Sequence, residues 1–336
     1  MARRVRCTAS RPSDLFESLE TDDGSEAELR VDSVEQTFDT LTFDLVNTAP
    51  ALANALRRIL LSEVPTMAIE KVGILNNTSV TPDEVLAHRL GLIPLKADSR
   101  RFMRVGAEEA LTDVNTIMFR LKVTCTGAAS ETAPATENGT PSTYMRVLSR
   151  DLQWVPQGRQ EDWFGPAKDA RSGGDAPAVG PVHDDIIITK LKPGQEIDLH
   201  AFATKGAGKE HAKWSPVSTA SYRMLPEVKI VGGDVTGADA DALVAACPMK
   251  VFDIEDMGGG AGRRAVVAQP RACTMCRECV RQPAMAKRVQ LSRLKDHFCF
   301  SIESTGAVSS RTLMLQAIAQ LRQKCTNAIE VVRKFD

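Results

Sequence analysis

The sequence predicts an α+β protein, and three observations carry that expectation. An amphipathic helix over about 50–63 lies between strand-like runs. A long central stretch alternates apolar and polar residues with strand periodicity. The chain ends in a helix of more than twenty residues with an apolar seam. With 336 residues and 43% hydrophobic content there is enough apolar material for a sizeable core and two or three domains.

The first helix is justified residue by residue. AELRVDSVEQ (27–36) and DTLTFDLVN (39–47) read as strands; in the second, Leu41, Phe43 and Leu45 alternate with Thr42 and Asp44. Pro50 suits a first helical position, because that N–H has no intrahelical partner. Leu52, Ala55, Leu56, Ile59 and Leu60 then form a broad apolar face, with Arg57 and Arg58 pointing elsewhere. Pro65 stops the helix, TMAIEKVGILNN (66–77) reads as a strand, and Thr81-Pro82-Asp83-Glu84 opens a second helix with acids in its first turn.

In the middle, 116–125, 143–154, 184–191 and 194–206 read as strands, separated by Gly/Ala/Pro/Ser-rich loops at 126–142 and 165–181. ADADALVAAC (238–247) reads as a short helix, and VFDIED and RRAVVAQ as hairpin strands around a glycine-rich turn. That turn satisfies a loose G-x-G-x-x-A pattern, but without the strand before and helix after that dinucleotide binding requires. DHFCFSIESTG (296–306) is a strand, and Ser309 or Ser310 caps the last helix. In it Met314, Ile318, Leu321, Cys325, Ala328 and Val332 recur at spacings of four and three, a seam suited to a partner helix.

Composition excludes several functions. The net charge of −1 gives no whole-chain attraction to nucleic acid. No apolar run reaches membrane-spanning length. Residues 1–26 are polar and acidic, a disordered tail by composition. The Arg- and Ser-rich start resembles a transit peptide, but Asp14, Glu17 and Glu20 follow too soon. No catalytic residues are identified: the five histidines are dispersed without metal-ligand spacing, and His183-Asp184-Asp185 reads as a loop before a strand.

The eight cysteines are unevenly distributed. Cys247-Pro248 precedes Cys273-Thr-Met-Cys276-Arg-Glu-Cys279, which resembles a cluster site of bacterial ferredoxins: three thiolates from C-x₂-C-x₂-C and a fourth from a Cys-Pro. The fourth cysteine of a two-cluster ferredoxin would follow Cys279 by four positions, and Pro283 stands there instead. One [4Fe–4S] centre in a structural role is expected, with zinc on the same four thiolates or an empty site as alternatives.

Taken together, NALRRILLSEVP (54–65) and HRLGLIPL (88–95) resemble segments of the alpha-like subunits of multisubunit RNA polymerases. The first is similar to the helix through which bacterial alpha subunits dimerise. Residues 180–228, with KGAGKEHAKWSP at their centre, resemble the branch shared by eukaryotic polymerases I and III. VRQPAMAKRVQLSRLKDHFCFSIESTG (280–306) fits the same family. The resemblance implies a discontinuous alpha-subunit dimerisation domain, 27–72 with 285–336. Into it are inserted a mostly β domain, 73–231, and a small ferredoxin-like metal-binding insertion, 232–284.

It further implies a non-catalytic nuclear assembly subunit that heterodimerises with a smaller alpha-like subunit. The heterodimer would engage the second-largest catalytic subunit and a small zinc-binding subunit, and touch nucleic acid only indirectly. Leu52, Leu56, Ile59, Leu60, Met314, Ile318, Leu321 and Cys325 are the expected dimer interface. Arg57 and Arg58 match a basic pair that faces a large subunit, where guanidinium groups grip carboxylates in two-pronged fashion. The cysteines depart from the polymerase I/III pattern, in which they are largely absent. The rival from another class is an iron–sulfur redox or electron-carrier protein with unrelated flanking domains; the missing second-cluster ligand weighs against it.

Overall fold

Thirteen unbroken residues of strand, from Pro65 to Asn77, show how the apolar pattern becomes architecture. The inward positions near its start are buried, and its whole length pairs antiparallel with a second long strand, from Pro65↔Ala207 to Asn77↔Ile197. The computed structural model describes residues 19–20, 26–27, 29–106, 109–126, 144–164, 179–256, 262–281 and 283–334. In chain order its elements are β1 (Leu19–Glu20), β2 (Glu26–Ala27), β3 (Arg30–Gln36), β4 (Thr40–Val46), α1 (Pro50–Ser62), β5 (Pro65–Asn77), α2 (Asp83–Gly91), β6 (Leu95–Lys96), β7 (Thr116–Thr124), β8 (Met145–Leu148) and β9 (Gln153–Val155). There follow α3 (Gln160–Phe164), β10 (Gly180–Pro181), β11 (Ile187–Leu191), β12 (Glu196–Ala207), β13 (Val217–Ile230), α4 (Ala238–Ala246), β14 (Phe252–Asp256), β15 (Arg263–Val267), α5 (Pro283–Ala286), β16 (Val289–Ser304) and α6 (Ser310–Val332). The α+β class is as expected.

The chain forms two compact units: Met1–Val34, Thr42–Asn54 and Ser221–Phe300; and Glu35–Leu41, Ala55–Ala220 and Ser301–Asp336. The first holds most of a four-stranded sheet in the order β13-β16-β4-β3, and the hairpin β14–β15 with α4 and α5. Phe43 and Phe300 stack with ring centroids 5.1 Å apart, and Tyr222 meets Phe298 edge-on at 5.4 Å. The cysteine region belongs to an apolar cluster of this unit, around Leu243, Val251, Phe252 and Met285.

The second unit is built on the sheet β5-β12-β7-β9. Ile117, Phe119 and Leu121 of β7 and Ile197, Leu199 and Ala201 of β12 face one core, and α2 adds Leu86 and Leu90 to it. This is period-two alternation over a half-buried sheet. Ser309 caps α6, its side chain accepting from the Thr312 N–H.

Several expectations shift in detail. β5 runs through the boundary anticipated at 72/73, because its pairing with β12 carries on past that point despite register shifts between Asp198 and Leu199 and between Phe202 and Ala203. The run 143–154 is two strands, β8 and β9, split by a turn at Ser149–Asp151. The expected loop 165–181 ends sooner: Val179 is buried, and Gly180–Pro181 pairs with β6. The rest of that loop, residues 127–142, and nearly all of the acidic 1–26 tail lie outside the described residues.

Candidate assembly face and cysteine centre

The expected interface divides into two groups. Leu56, Ile59 and Leu60 are 1%, 2% and 0% exposed in this chain alone, so the expectation that they face a partner needs correcting: their apolar area is already spent on the chain's own fold. Leu52, Met314, Ile318 and Leu321 are half-buried and Cys325 is exposed, so these remain accessible. In α6, Leu313 and Ala317 form the inward stripe, and from Arg322 to the end of the helix every residue is exposed. Ile329, Val331 and Val332 are among them, at 44%, 53% and 62%. One ion pair, Lys324 Nζ to Glu63 at 2.6 Å, ties this half of α6 to the residue just after α1. Arg58 is exposed and Arg57 half-buried.

The KGAGKEHAKWSP stretch has a structural reason. Trp214 is buried, and its indole N–H donates to the Thr204 carbonyl at 3.1 Å. A Cβ on Gly206 would lie 2.4 Å from the indole, and one on Gly208 would lie 2.3 Å from the Leu61 carbonyl oxygen. Lys213 sits over the Trp214 ring at 4.4 Å and donates to the Ile69 carbonyl at 3.0 Å. Thr66 donates to the Trp214 carbonyl at 2.7 Å. The motif therefore fastens the β12–β13 connection onto β5.

In the first unit Cys247, Cys273, Cys276 and Cys279 line one small cavity, otherwise walled mainly by Val228, Val251, Phe252 and Leu291. Three of these cysteines are buried and Cys276 is exposed. Burial pushes the Cys279 thiol up, and the neighbouring Cys273, Cys247 and Cys276 add to that. The N–H groups of Val251 and Met275 point at the sulfurs of Cys247 and Cys273, each at 3.4 Å. Met275 and Arg277, either side of Cys276, both adopt left-handed backbone, φ 61° and 65°. Such conformations are costly for residues with side chains, and they make the inward-facing N–H nests that hold anionic centres. The four-thiol convergence read from spacing is thus present.

A neighbouring network was not anticipated. Asp44 reads from alternation as a solvent-facing position of β4, yet it is 2% exposed. Arg271, two residues before Cys273, grips both its carboxylate oxygens, one at 2.8 Å; His297 Nε2 lies 3.0 Å away, and Cys299 is beside it. Burial alone would raise the Asp44 pKa, but the hydrogen bond from Arg271, then those from His297 and Cys299 together with the Arg271 charge, hold it below the usual carboxylate value. Burial and the Asp44 charge push the Cys299 thiol up. Asp44, His297 and Cys299 offer three ligand atoms within 4.8 Å of one another, but the guanidinium already supplies the positive charge a metal would bring. The Arg271 carbonyl in turn accepts from Arg223 on β13 at 2.8 Å, so the cysteine loop is anchored to the sheet at two points. The faint signal in sequence is an arginine beside the first cysteine of the triplet and an acid inside an otherwise apolar strand.

Comparison with known proteins bears on the whole chain. The model of the RNA polymerase Rpb3/Rpb11 dimerisation domain matches residues 42–325. "DNA-directed RNA polymerases I and III subunit rpac1" of Dictyostelium discoideum is 43% identical over 306 residues, 91% of this chain and 82% of that protein. Its Homo sapiens counterpart is 42% identical over 309 residues, covering 92% and 86%. The polymerase II subunit rpb3 of Dictyostelium discoideum is more distant, at 33% over 298 residues, covering 86% and 90%. The family match runs through the cysteine region, so that region is no electron carrier joined to unrelated flanks. The chain belongs to the RNA polymerase Rpb3/Rpb11 dimerisation-domain family.

Proposed function

We propose that the chain is the alpha-like assembly subunit shared by RNA polymerases I and III, non-catalytic and nuclear, and that it heterodimerises with a smaller alpha-like subunit. The observation that carries the pairing is the bare distal half of α6. A 23-residue helix is about 35 Å long, and every residue of its second half is exposed, with the Lys324–Glu63 ion pair tying it to the rest of the chain. A helix of that length is marginal in water without a packed face, and here the face is apolar, so a partner must cover it. Met314, Ile318 and Leu321, half-buried, and Cys325, exposed, extend this apolar stripe along α6. Obligate interfaces of this type bury roughly 2,000 Å² or more. Arg57 and Arg58 are proposed to face the second-largest catalytic subunit, with the small zinc-binding subunit completing the assembly. The allocation to polymerases I and III rests on the ten-point gap in identity, 43% against 33%, between the two Dictyostelium relatives.

Affinity purification of the tagged chain followed by mass spectrometry tests this. Both polymerase I and polymerase III largest subunits should co-purify. Recovery of polymerase II subunits alone, or of none, would sink the assignment.

For the cysteine centre we propose one [4Fe–4S] cluster held by Cys247, Cys273, Cys276 and Cys279, in a structural role. The four cysteines line one mainly apolar cavity, and the C-x₂-C-x₂-C spacing with a separate Cys-Pro favours a four-iron cube, with zinc on the same thiolates as the alternative. Such a cluster supplies one-electron redox chemistry when bound; the protein's part is to surround it with apolar walls and inward N–H groups. Anaerobically purified protein should be brown with about four irons per chain; a colourless preparation with stoichiometric zinc would favour the alternative.

A further inference from the structure

The second unit carries a patch of positive charge that no carboxylate pairs with among the described residues. β8 and β11 pair antiparallel so that Lys190 stands directly opposite Arg146. Like charges in that relation destabilise a strand pair. Nε of Arg146 is buried with no hydrogen-bond partner among the described residues, and Lys190 is lodged over the Tyr144 ring at 4.6 Å. Lys192 follows, exposed. Across a groove, Arg89 of α2 donates from Nε to the Ile188 carbonyl at 2.8 Å and from Nη2 to Ile187, which fixes its charge at the groove floor. Among the described residues none of these four cations has a carboxylate within ion-pair distance.

The groove between α2 and the β8–β11 ribbon is open, about 440 Å³, and among the described residues no acidic side chain lines it. Its apolar part is aliphatic and solvent-facing: Val80 is 75% exposed and Val85 48%; Leu92, 51% exposed, lines an adjoining hollow that shares Arg89, Ile187 and Ile188 with it. Val85, Arg89 and Leu92 share one face of α2 at spacings of four and three.

We propose that this groove docks an acidic segment of a partner protein, with aliphatic anchor residues flanked by Asp or Glu. The carboxylates would meet Arg89, Lys190 and Lys192 and relieve the Lys190–Arg146 repulsion, while the anchors cover Val80, Val85 and Leu92. The lining favours protein over single-stranded nucleic acid. A base needs an open aromatic face to stack on, whereas the Tyr144 ring carries Lys190 and the remaining surface is aliphatic. Only the setting of the test rests on the polymerase reading; the chemistry of the groove does not.

The experiment places a photo-crosslinking benzoylphenylalanine at position 85 of the tagged full chain, irradiates the purified complex and sequences the adduct. The expected product is an Asp/Glu-rich segment of another chain. The pair Lys190→Glu and Lys192→Glu should cut its yield at least tenfold. Lys190→Glu also replaces a repulsion with an attraction to Arg146, so the thermal midpoint of the variant should not fall, which separates lost docking from lost folding. The proposal is overturned by an adduct with nucleic acid, with a basic or neutral segment, or with the chain's own acidic residues 14–28. It is equally overturned by no adduct, or by a yield indifferent to the charge reversal. If the acidic segment belongs to a chain outside any polymerase, the groove stands and the assembly-subunit reading falls.

Discussion

Removing either partner of the Arg271–Asp44 pair should have unequal consequences. Arg271→Ala removes the guanidinium partner of a carboxylate whose side chain is 3% exposed and leaves it only His297 and Cys299, whereas Asp44→Asn removes one partner of a guanidinium that is 45% exposed and open to water. Stranding a buried charge costs about 3–5 kcal/mol. The carboxylate has an escape, taking up a proton, which at pH 7 costs about 4 kcal/mol from an ordinary pKa near 3.9. The expected loss for Arg271→Ala is therefore about 3–4 kcal/mol. Asp44→Asn keeps an acceptor and leaves the cation half-solvated, so its loss is about 1–2 kcal/mol. That difference of about 2 kcal/mol corresponds to about 4–8 °C in thermal midpoint. Thermal unfolding of the co-expressed heterodimer measures it, with iron content on the same samples to separate a lost cluster from a lost pair. Adding Asp44→Asn to Arg271→Ala should recover part of the loss, since the orphan charge is then gone. The pH dependence has a definite sign. Asp44 is held below its ordinary value, so its contribution is full above about pH 4 and disappears as pH falls through the depressed folded value. The gap between wild type and Asp44→Asn should close in acid. If Asp44→Asn costs as much as Arg271→Ala or more, the account of the pair as a buried carboxylate serviced by a half-wet arginine is wrong.

Other outcomes follow from the same geometry. Ile329→Asp should lower heterodimer affinity about tenfold, in line with about 1.5 kcal/mol for an aliphatic side chain buried on association, while the free chain, in which that side chain is 44% exposed, keeps its thermal midpoint; size-exclusion chromatography and thermal unfolding read the two effects separately. Leu56→Asp, by contrast, should lower the folding midpoint itself, because Leu56 is 1% exposed before any partner arrives. Gly208→Ala should cost about 1–3 kcal/mol, since its Cβ meets the Leu61 carbonyl and no flexible side chain can yield; an unchanged denaturant midpoint would contradict this. If the proposed [4Fe–4S] cluster is bound, replacing Cys276 and Cys279 by Ser should abolish its visible absorption and lower stability without changing nucleotide addition by assembled polymerase; a variant that assembles fully but elongates slowly would point to more than a structural role.

Much of this molecule was legible in the order of its residues, for reasons that are local. Helix α1 with its proline start, the alternation in β7 and β12, the Ser309 cap, the hairpin β14–β15 and the convergence of four cysteines each depend on neighbours close in sequence, or on a spacing that only a few geometries satisfy. The family, too, is carried by contiguous motifs. The direction of an apolar face is not local. Leu56, Ile59 and Leu60 read as a surface for a partner, but the fold turns them inward, while the distal α6 residues of the same seam stay bare. Periodicity says that a face is apolar; the arrangement of the other elements decides what covers it. Asp44 makes the same point for charge. Alternation assigns it to solvent, and a guanidinium brought from 227 residues further along the chain makes its burial affordable. Sequence alone therefore determined which elements form, which family they build and which four thiols meet. Tertiary structure decided which apolar surface remained for a second subunit and which buried charge needed a partner, because burial is a property of the packed chain and not of any residue in it.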